Sequence, residues 1–535
     1  MAFIIIGYAQ EKHFNTIEYN YPYWPEYKKT AVSEIYNPKW IAKDHTVEGW
    51  DWTLPKSVNP SEKSKLCIAR NFGLSKNKIE ELQEIHFSCN PVISHWVKWR
   101  ELEPEEGEIN FKPLIDNIKN AYQKGYESIV RIHFSAIDFA PDWIKKYNIP
   151  IRKEEKENPV KRNYEVSHPE FHKRYLNFVK ALGESGLSKM EEVKGLFLGY
   201  ASPSNGDEGI GPYPEKYANA NDTIPHVRER IDAWANACSG VEHKVFMGGL
   251  SNYGLSKGFG IRRGFVEMYL YHIPDEHFGQ ELDANGYLIV DEANEIIKKN
   301  LFHGEENEEY EEKWATAERD FRFGINTEPY PYRYFTANLR LLQMRCNYLL
   351  NNEFSILPDM FTWVSLSLGK TVEDTPDAWC FLRESYLKGN EPRPVKNFER
   401  WVYQRDSPGY ATKPVAKIHH PIKMWMVQPD RYYDYVARKG NKIGFDIDDD
   451  FLSTNIKFAV KISYLDVDNG NWSLVFQGEK GPEKKTIKNK NTGNIKTVTF
   501  FITANFENKT RPFDLEILGE GDFEPTISFL RIIKL

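Results

Sequence analysis

The chain has 535 residues, enough for one large domain plus a smaller one. Its apolar fraction of 41% and charged fraction of 27% are those of an ordinary globular protein, and a net charge of −7 argues against a nucleic-acid binder, which needs a dense basic surface. Five scattered cysteines (Cys67, Cys89, Cys238, Cys346, Cys380) lack C-x-x-C spacing and read as free thiols, not as a disulfide framework or zinc site, and no apolar run reaches the length of a membrane span.

The N-terminus reads MAFIIIGYAQEKH. An apolar run precedes a Gly-Tyr-Ala-Gln stretch, so residues 1–15 are expected to be a truncated export signal, which would send the protein to the periplasm or cell surface. The run is short and lacks a basic start, which leaves a buried N-terminal strand as the alternative. Beyond it a pattern repeats: apolar strand, polar loop, amphipathic helix. Strands are expected at 64–72, 90–99, 127–135, 193–200, 244–250 and 264–271, with helices at 76–88, 111–125, 167–183 and 225–237 between them. The 167–183 helix opens on Ser167-His-Pro-Glu170, a capping-box pattern. A seventh strand falls at 296–304 or 321–327, a helix at 332–350, and an eighth strand at 354–369. Eight such units predict a parallel (β/α)₈ barrel over residues 16–385. Residues 386–414, rich in Pro, Arg and Tyr, read as a linker. From 415 to 535 the apolar residues alternate every second position and Asp468-Asn-Gly and Asn491-Thr-Gly mark turns, which predicts a C-terminal antiparallel β-sandwich.

In such barrels the reactive groups sit at the C-terminal ends of the strands. Those ends carry Arg70 and Asn71, Trp96-Val-Lys-Trp99-Arg100-Glu101, His133-Phe-Ser135, Ser204-Asn205-Gly-Asp207-Glu208, and Thr362-Trp363. The fourteen Trp, 30 Tyr and 32 Phe fit either a large aromatic core or rings lining a sugar-binding cleft. The stretch WRELEPEEG (99–107), a helix, a strand and then APDWI (140–144) resembles the retaining (β/α)₈ glycoside hydrolases of clan A, nearest to the β-galactosidases of family 42. The likeness is specific over about 90–145, looser through strand eight, and silent on the C-terminal domain.

That resemblance implies a two-carboxylate mechanism without metal or organic cofactor, acting on β-linked galactosides of an oligo- or polysaccharide. It implies an acid/base after strand four. Here Asn205 is not adjacent to a Glu as the family pattern has it, so Glu208 is preferred with Asp207 as rival. A nucleophile is implied after strand seven: Glu306 is preferred, with Glu305, Glu308 and Glu328 as alternatives, and a solvated acidic helix start is the plain reading of this run. Arg70, Asn71, Trp99, His133, Asn205 and the platform-like Trp363 would hold sugar. Arg262 and Arg263 would form a surface ion pair, or else meet a sulfated or uronic sugar. Gly258-Phe-Gly260 is no dinucleotide loop, since its third glycine comes one place late, and Asp466-Val-Asp468 reads as a β-turn before a calcium loop. A second class remains open: a catalytically dead barrel that binds carbohydrate. A third, an adhesion protein using the sandwich for contacts, predicts no cleft at the strand ends.

Overall fold

The computed structural model describes residues 42–51, 65–72, 74, 90–151, 163–199, 222–248, 251–265, 279–306, 330–350, 364, 367–386, 394–419, 433–452, 456–506 and 510–535. The expected export signal and the expected helix at 76–88 lie outside them.

Eight parallel strands close into a barrel: β2 (Lys65–Phe72), β3 (Asn90–Lys98), β4 (Glu127–His133), β5 (Val193–Leu198), β6 (Val245–Gly248), β7 (Gly260–Phe265), β10 (His303–Glu306) and β11 (Tyr348–Leu350). The ring is sealed where β10 pairs with both β7 and β11, and β11 with β2. Alternate residues of each strand face opposite ways. Val97, Val130, Ile132, Leu196, Leu198, Val245 and Met247 point outward and form one core with the surrounding helices. Val92, Ile129, Phe197 and Phe246 belong to a second cluster inside the barrel.

The helices follow from their apolar spacing. Lys112–Gln123 carries Pro113 in its first turn and buries Leu114, Ile118 and Ala121, three or four residues apart. Pro169–Glu184 buries Phe171, Tyr175, Phe178, Val179 and Leu182 as expected. Its cap differs from expectation. The His168 ring accepts the Glu170 N–H at 3.3 Å, while the Ser167 hydroxyl turns away to donate to Glu165 at 2.7 Å. Nor does Gly183 end this helix: a Cβ there would lie 2.8 Å from the Ala237 Cα, so the glycine lets the helix Pro225–Ala237 pack close.

Three further expectations are corrected. The sixth barrel strand, Gly260–Phe265, begins four residues before the expected 264–271, of which 266–271 lie outside the described residues. The eighth is Tyr348–Leu350, not 354–369, of which Val364 and Ser367 are helical. The helix before it, Tyr330–Gln343, stops earlier than 350, at a turn where Arg345 takes a φ of 61°.

The rest of the chain builds two antiparallel sheets. The larger runs in the order β1 (His45–Glu48), β21 (Ile495–Ala504), β18 (Ile456–Leu465), β23 (Thr526–Lys534), β12 (Asp377–Tyr386), β16 (Tyr433–Lys439), β15 (Lys413–His419), with β13 (Val395–Arg400) beside β12. The smaller is β14 (Val402–Gln404), β17 (Lys442–Ile447), β22 (Leu515–Gly519), β19 (Asn471–Gly478), β20 (Gly481–Lys488). Residues 386–414 are therefore not a plain linker. They supply β13, β14 and part of β15, and Asp377–Tyr386, assigned by pattern to the barrel, is an inner strand of the larger sheet. A two-stranded ribbon, β8 (Gln280–Leu282) and β9 (Leu288–Val290), precedes the seventh barrel strand.

The larger sheet is covered on both faces. Ala378, Cys380 and Leu382 face the smaller sheet and share a core with Ile443, Phe445, Trp472, Leu474 and Ile517. Trp379 and Phe381, pointing the other way, join Phe335, Leu339 and Leu342 of the barrel helix and Phe529 of β23. One apolar cluster thus runs from the barrel interior into the sheet.

Candidate active site

The stretch from Trp99 to Gly107 forms a clasp behind the mouth of the barrel. Strand β3 passes directly into the short helix Trp99–Leu102. The Lys98 N–H donates to the Glu101 carboxylate at 2.8 Å. The Trp99 indole N–H donates to Glu103 at 2.7 Å, and the Gly107 N–H donates to the other oxygen of the same carboxylate at 2.9 Å. Gly107 takes a φ of 85°, which explains why this acidic turn needs a glycine. Burial raises the Glu103 carboxyl above its ordinary value, against the pull of these two N–H donors.

The clasp reaches the next barrel loop. Arg100 donates to the Ala140 carbonyl at 3.0 and 2.8 Å and to the Ile137 carbonyl at 2.9 Å, and its own N–H donates to Phe139. The Trp143 indole donates to the Glu103 carbonyl at 3.0 Å. Both halves of the motif, WRELEP and APDW, thus tie the loop after β3 to the loop after β4.

Trp99 itself does not face the mouth. It is 0% exposed, set against Phe134, Trp143, Phe171 and Phe178 between barrel and helices. The expectation that it touches sugar is corrected: its place past the end of β3 turns its ring to the helical side, where it packs.

The inward face of the barrel is cationic and aromatic. The Arg131 guanidinium lies between Trp96, 4.1 Å from its ring centre, and Phe197, 4.5 Å away. The Arg262 guanidinium lies 5.8 Å from the same Phe197 ring. It is buried in the barrel wall and not on the surface, because β7 begins at Gly260 and gives it an interior position. Below this layer Phe246 stacks on Phe302 and meets Tyr348.

His133 is the last residue of β4. It is 4% exposed, with its ring 5.2 Å from Trp96 and 4.9 Å from Phe139, the residue whose loop Arg100 holds. The Lys98 ammonium lies 5.6 Å from the Phe139 ring. Ser135 donates to Asn163 at 3.0 Å, fastening another loop to the same rim. The sequence places Trp96, Lys98 and Ser135 at strand ends without giving them a sugar-holding role, and it does not single out Arg131. The period-two pattern of β3 and β4, which puts Trp96 with Lys98 and Arg131 with His133 on one face, was the available signal.

Glu306 is the last residue of β10, the seventh barrel strand. Its backbone is in register with Leu350 on one side and Phe265 on the other, beyond a bulge at Gly304. A Cβ at Gly304 would lie 1.9 Å from the Tyr348 carbonyl oxygen, so the strands approach here only because the residue is glycine. Arg70 and Asn71 lie near the end of β2, in register with Ser94 and His95. For Arg70, Asn71, Arg263, Glu305 and Glu306 the description extends to the backbone. Asn205, Asp207, Glu208, Glu308, Glu328 and Trp363 lie outside the described residues.

Among the described residues no three His, Cys, Asp or Glu side chains group as a metal site. Asp466 is occupied by protein donors: the Lys490 N–H at 2.7 Å, the Thr492 hydroxyl at 2.6 Å and the Lys496 ammonium at 2.6 Å. Asp468 and Asn491, at φ 60° and 54°, are turn residues.

The architecture is that of a (β/α)₈-barrel protein whose C-terminal mouth is lined by rings and cations. No family model matches the chain, and no curated protein does. Solved structures of low similarity are found. One is the catalytic domain of β-amylase from Paenibacillus polymyxa, at 8% identity and a TM-score of 0.32, over 58% of this chain and 99% of that one. Another is xylanase 10B from Thermotoga maritima, at 12% identity and 0.28, over 54% and 82%. A third is the exo-β-1,4-mannosidase from Opitutaceae bacterium strain TAV5, at 11% identity and 0.23, over 38% of each chain. The chain spans less than half the length of that mannosidase and of two similar matches.

Proposed function

We propose that the chain is a retaining glycoside hydrolase acting on β-linked galactosides of a polysaccharide. The observation that carries this reading is the position of Glu306, the final residue of the seventh parallel strand, at the edge of the barrel where reacting groups are presented. In this reading Glu306 attacks the anomeric carbon. Glu208, which follows β5 in the chain, protonates the departing oxygen. The covalent glycosyl-enzyme is then hydrolysed by a water that gives its proton to Glu208. Arg70, Asn71, Asn205 and Trp363 would hold the sugar, and His133 and Trp96 line the mouth from the described side. Separate surroundings are required for the two carboxyls, since one must stay neutral while the other is charged. The buried cations Arg131 and Arg262 favour an ionised carboxylate nearby.

The test compares wild type with Glu208→Gln and Glu306→Gln on aryl β-glycosides and on neutral and sulfated galactans, reading new reducing ends. Release by wild type and its loss in both variants supports the reading. Full activity in Glu306→Gln would remove it from the nucleophile's role. Oligosaccharide binding without release from any substrate would favour the non-catalytic barrel.

A further inference from the structure

The five-stranded sheet has one face in the core; its other face is exposed along β20 and at Lys442 and covered over Gly444, Val475 and Glu516. Ile443, Phe445, Trp472, Leu474, Phe476, Leu515 and Ile517 point inward. Alternation then puts Lys442, Ser473, Lys484, Thr486, Lys488 and Leu518 on the outward face. Cross-strand register sets Lys442 beside Leu518, Leu518 beside Ser473, and Ser473 beside Thr486. Lys442 therefore lies about 14 Å from the edge strand, where Lys484 and Lys488 flank Thr486 at roughly 7 Å on either side. All three lysines are exposed.

This face also carries rings. Tyr410 and Phe513, both half-buried, meet at 4.7 Å, and Phe513 covers Gly444, where any side chain would collide with its ring. The Lys442 ammonium lies 5.9 Å from the Tyr410 ring. Arg511, Phe513, Thr510, Gln477 and Asp514 border a slight surface depression beside them. Of the acids on and beside this face, Glu516 takes the Arg511 guanidinium and the Tyr410 hydroxyl, Asp514 accepts the Ile447 N–H, and Glu520 accepts from Asn471; Asp446 shares the face at the far end of β17 from Lys442. A chain of net charge −7 thus presents exposed lysines around a pair of half-exposed rings.

Lysines along an edge strand also prevent edge-to-edge pairing. Lys442 is not on that edge, and the Tyr410–Phe513 pair serves no such purpose. Rings stack on the C–H faces of sugars, and ammonium groups pair with sulfate or carboxylate. We propose that this outward face is a second carbohydrate-binding surface, for an anionic polysaccharide, separate from the barrel mouth. The choice of a sugar polymer as occupant rests on the glycosidase reading.

Native gels containing a sulfated galactan, polygalacturonate or neutral galactan test it on the full chain. The variants are a face triple, Lys442→Gln with Lys484→Gln and Lys488→Gln, and a control triple on exposed barrel lysines, Lys119→Gln with Lys124→Gln and Lys189→Gln. Wild type should be retarded by one or both anionic gels and not by the neutral one; which gel retards it distinguishes sulfate from carboxylate. The face triple should bind at least tenfold more weakly, with an unchanged melting curve and unchanged aryl-glycoside hydrolysis, and the control should match wild type. Failure of wild type to be retarded, full binding by the face triple, or equal loss in the control would overturn the proposal. Retardation in a protein that hydrolyses no glycoside would support this surface and count against the enzymatic reading.

Discussion

The indole N–H of Trp99 donates to the Glu103 carboxylate at 2.7 Å, with both residues shielded from water. This bond explains why a strand of a barrel ends in Trp-Arg-Glu-Leu-Glu. The pair holds the loop after β3, and Arg100 and Trp143 pass that order on to the loop after β4. The motif that carries the family resemblance is therefore scaffold for the mouth, one layer removed from any substrate.

Replacing Glu103 with Ala should strip the acceptor from one buried donor, the Trp99 indole, and from the N–H of the exposed turn residue Gly107, at about 1–3 kcal/mol. Trp99→Ala should cost about 3–5 kcal/mol through lost packing. Denaturant unfolding measures both. Because burial raises the Glu103 carboxyl in the folded chain, its charged form is the strained one. Its contribution favours folding at low pH and is lost as pH rises from the ordinary value of 4.5 through the raised one.

Asp466 behaves oppositely. Burial alone would raise its pKa, but the Lys496 ammonium, the Thr492 hydroxyl and the Lys490 N–H outweigh it and hold the carboxyl at about 2. A depressed carboxylate stabilises above its ordinary pKa of 3.8 and loses that contribution, on the order of 2 kcal/mol, as pH falls towards 2. Asp466→Asn should lower stability at neutral pH and flatten the dependence between pH 4 and 2, roughly, in melting curves taken across that range. An unchanged acid slope would show that the proton is taken up elsewhere.

Phe335 of the barrel helix meets Phe381 of the larger sheet at 5.3 Å, inside the cluster that joins the two. Phe381→Ala should cost about 3–5 kcal/mol, and scanning calorimetry should still show a single transition. Two separate transitions would mean that barrel and sheets unfold independently.

Much of this architecture is legible in the sequence where burial and apolarity coincide. The strands β3, β4 and β5 and the helix Pro169–Glu184 show their periods plainly. The sixth strand does not, because Arg262 points into the barrel and GIRRGF lacks an apolar stripe. The eighth is three residues that follow an amphipathic helical pattern with only a short turn between, and the break before it is made by Arg345 in a left-handed conformation, without the usual glycine. Strands β13 and β14 hide in a charged segment whose side chains pair inside: Arg405 with Glu399 at 2.7 Å, and Asn397 with Gln404 at 3.1 Å. At the mouth, strand alternation separates Trp96 from outward positions, but it cannot follow the chain past the strand end to Trp99.

As the proposed nucleophile, Glu306 would form a covalent bond to the sugar. A 2-deoxy-2-fluoro-β-galactosyl fluoride should inactivate wild type in a time-dependent manner. Digestion and mass spectrometry should then find one added fluorosugar on the peptide containing Glu306, and none in Glu306→Gln. A label on Glu305, Glu308 or Glu328 instead, or active enzyme that turns over aryl galactosides yet takes no label, would contradict the account.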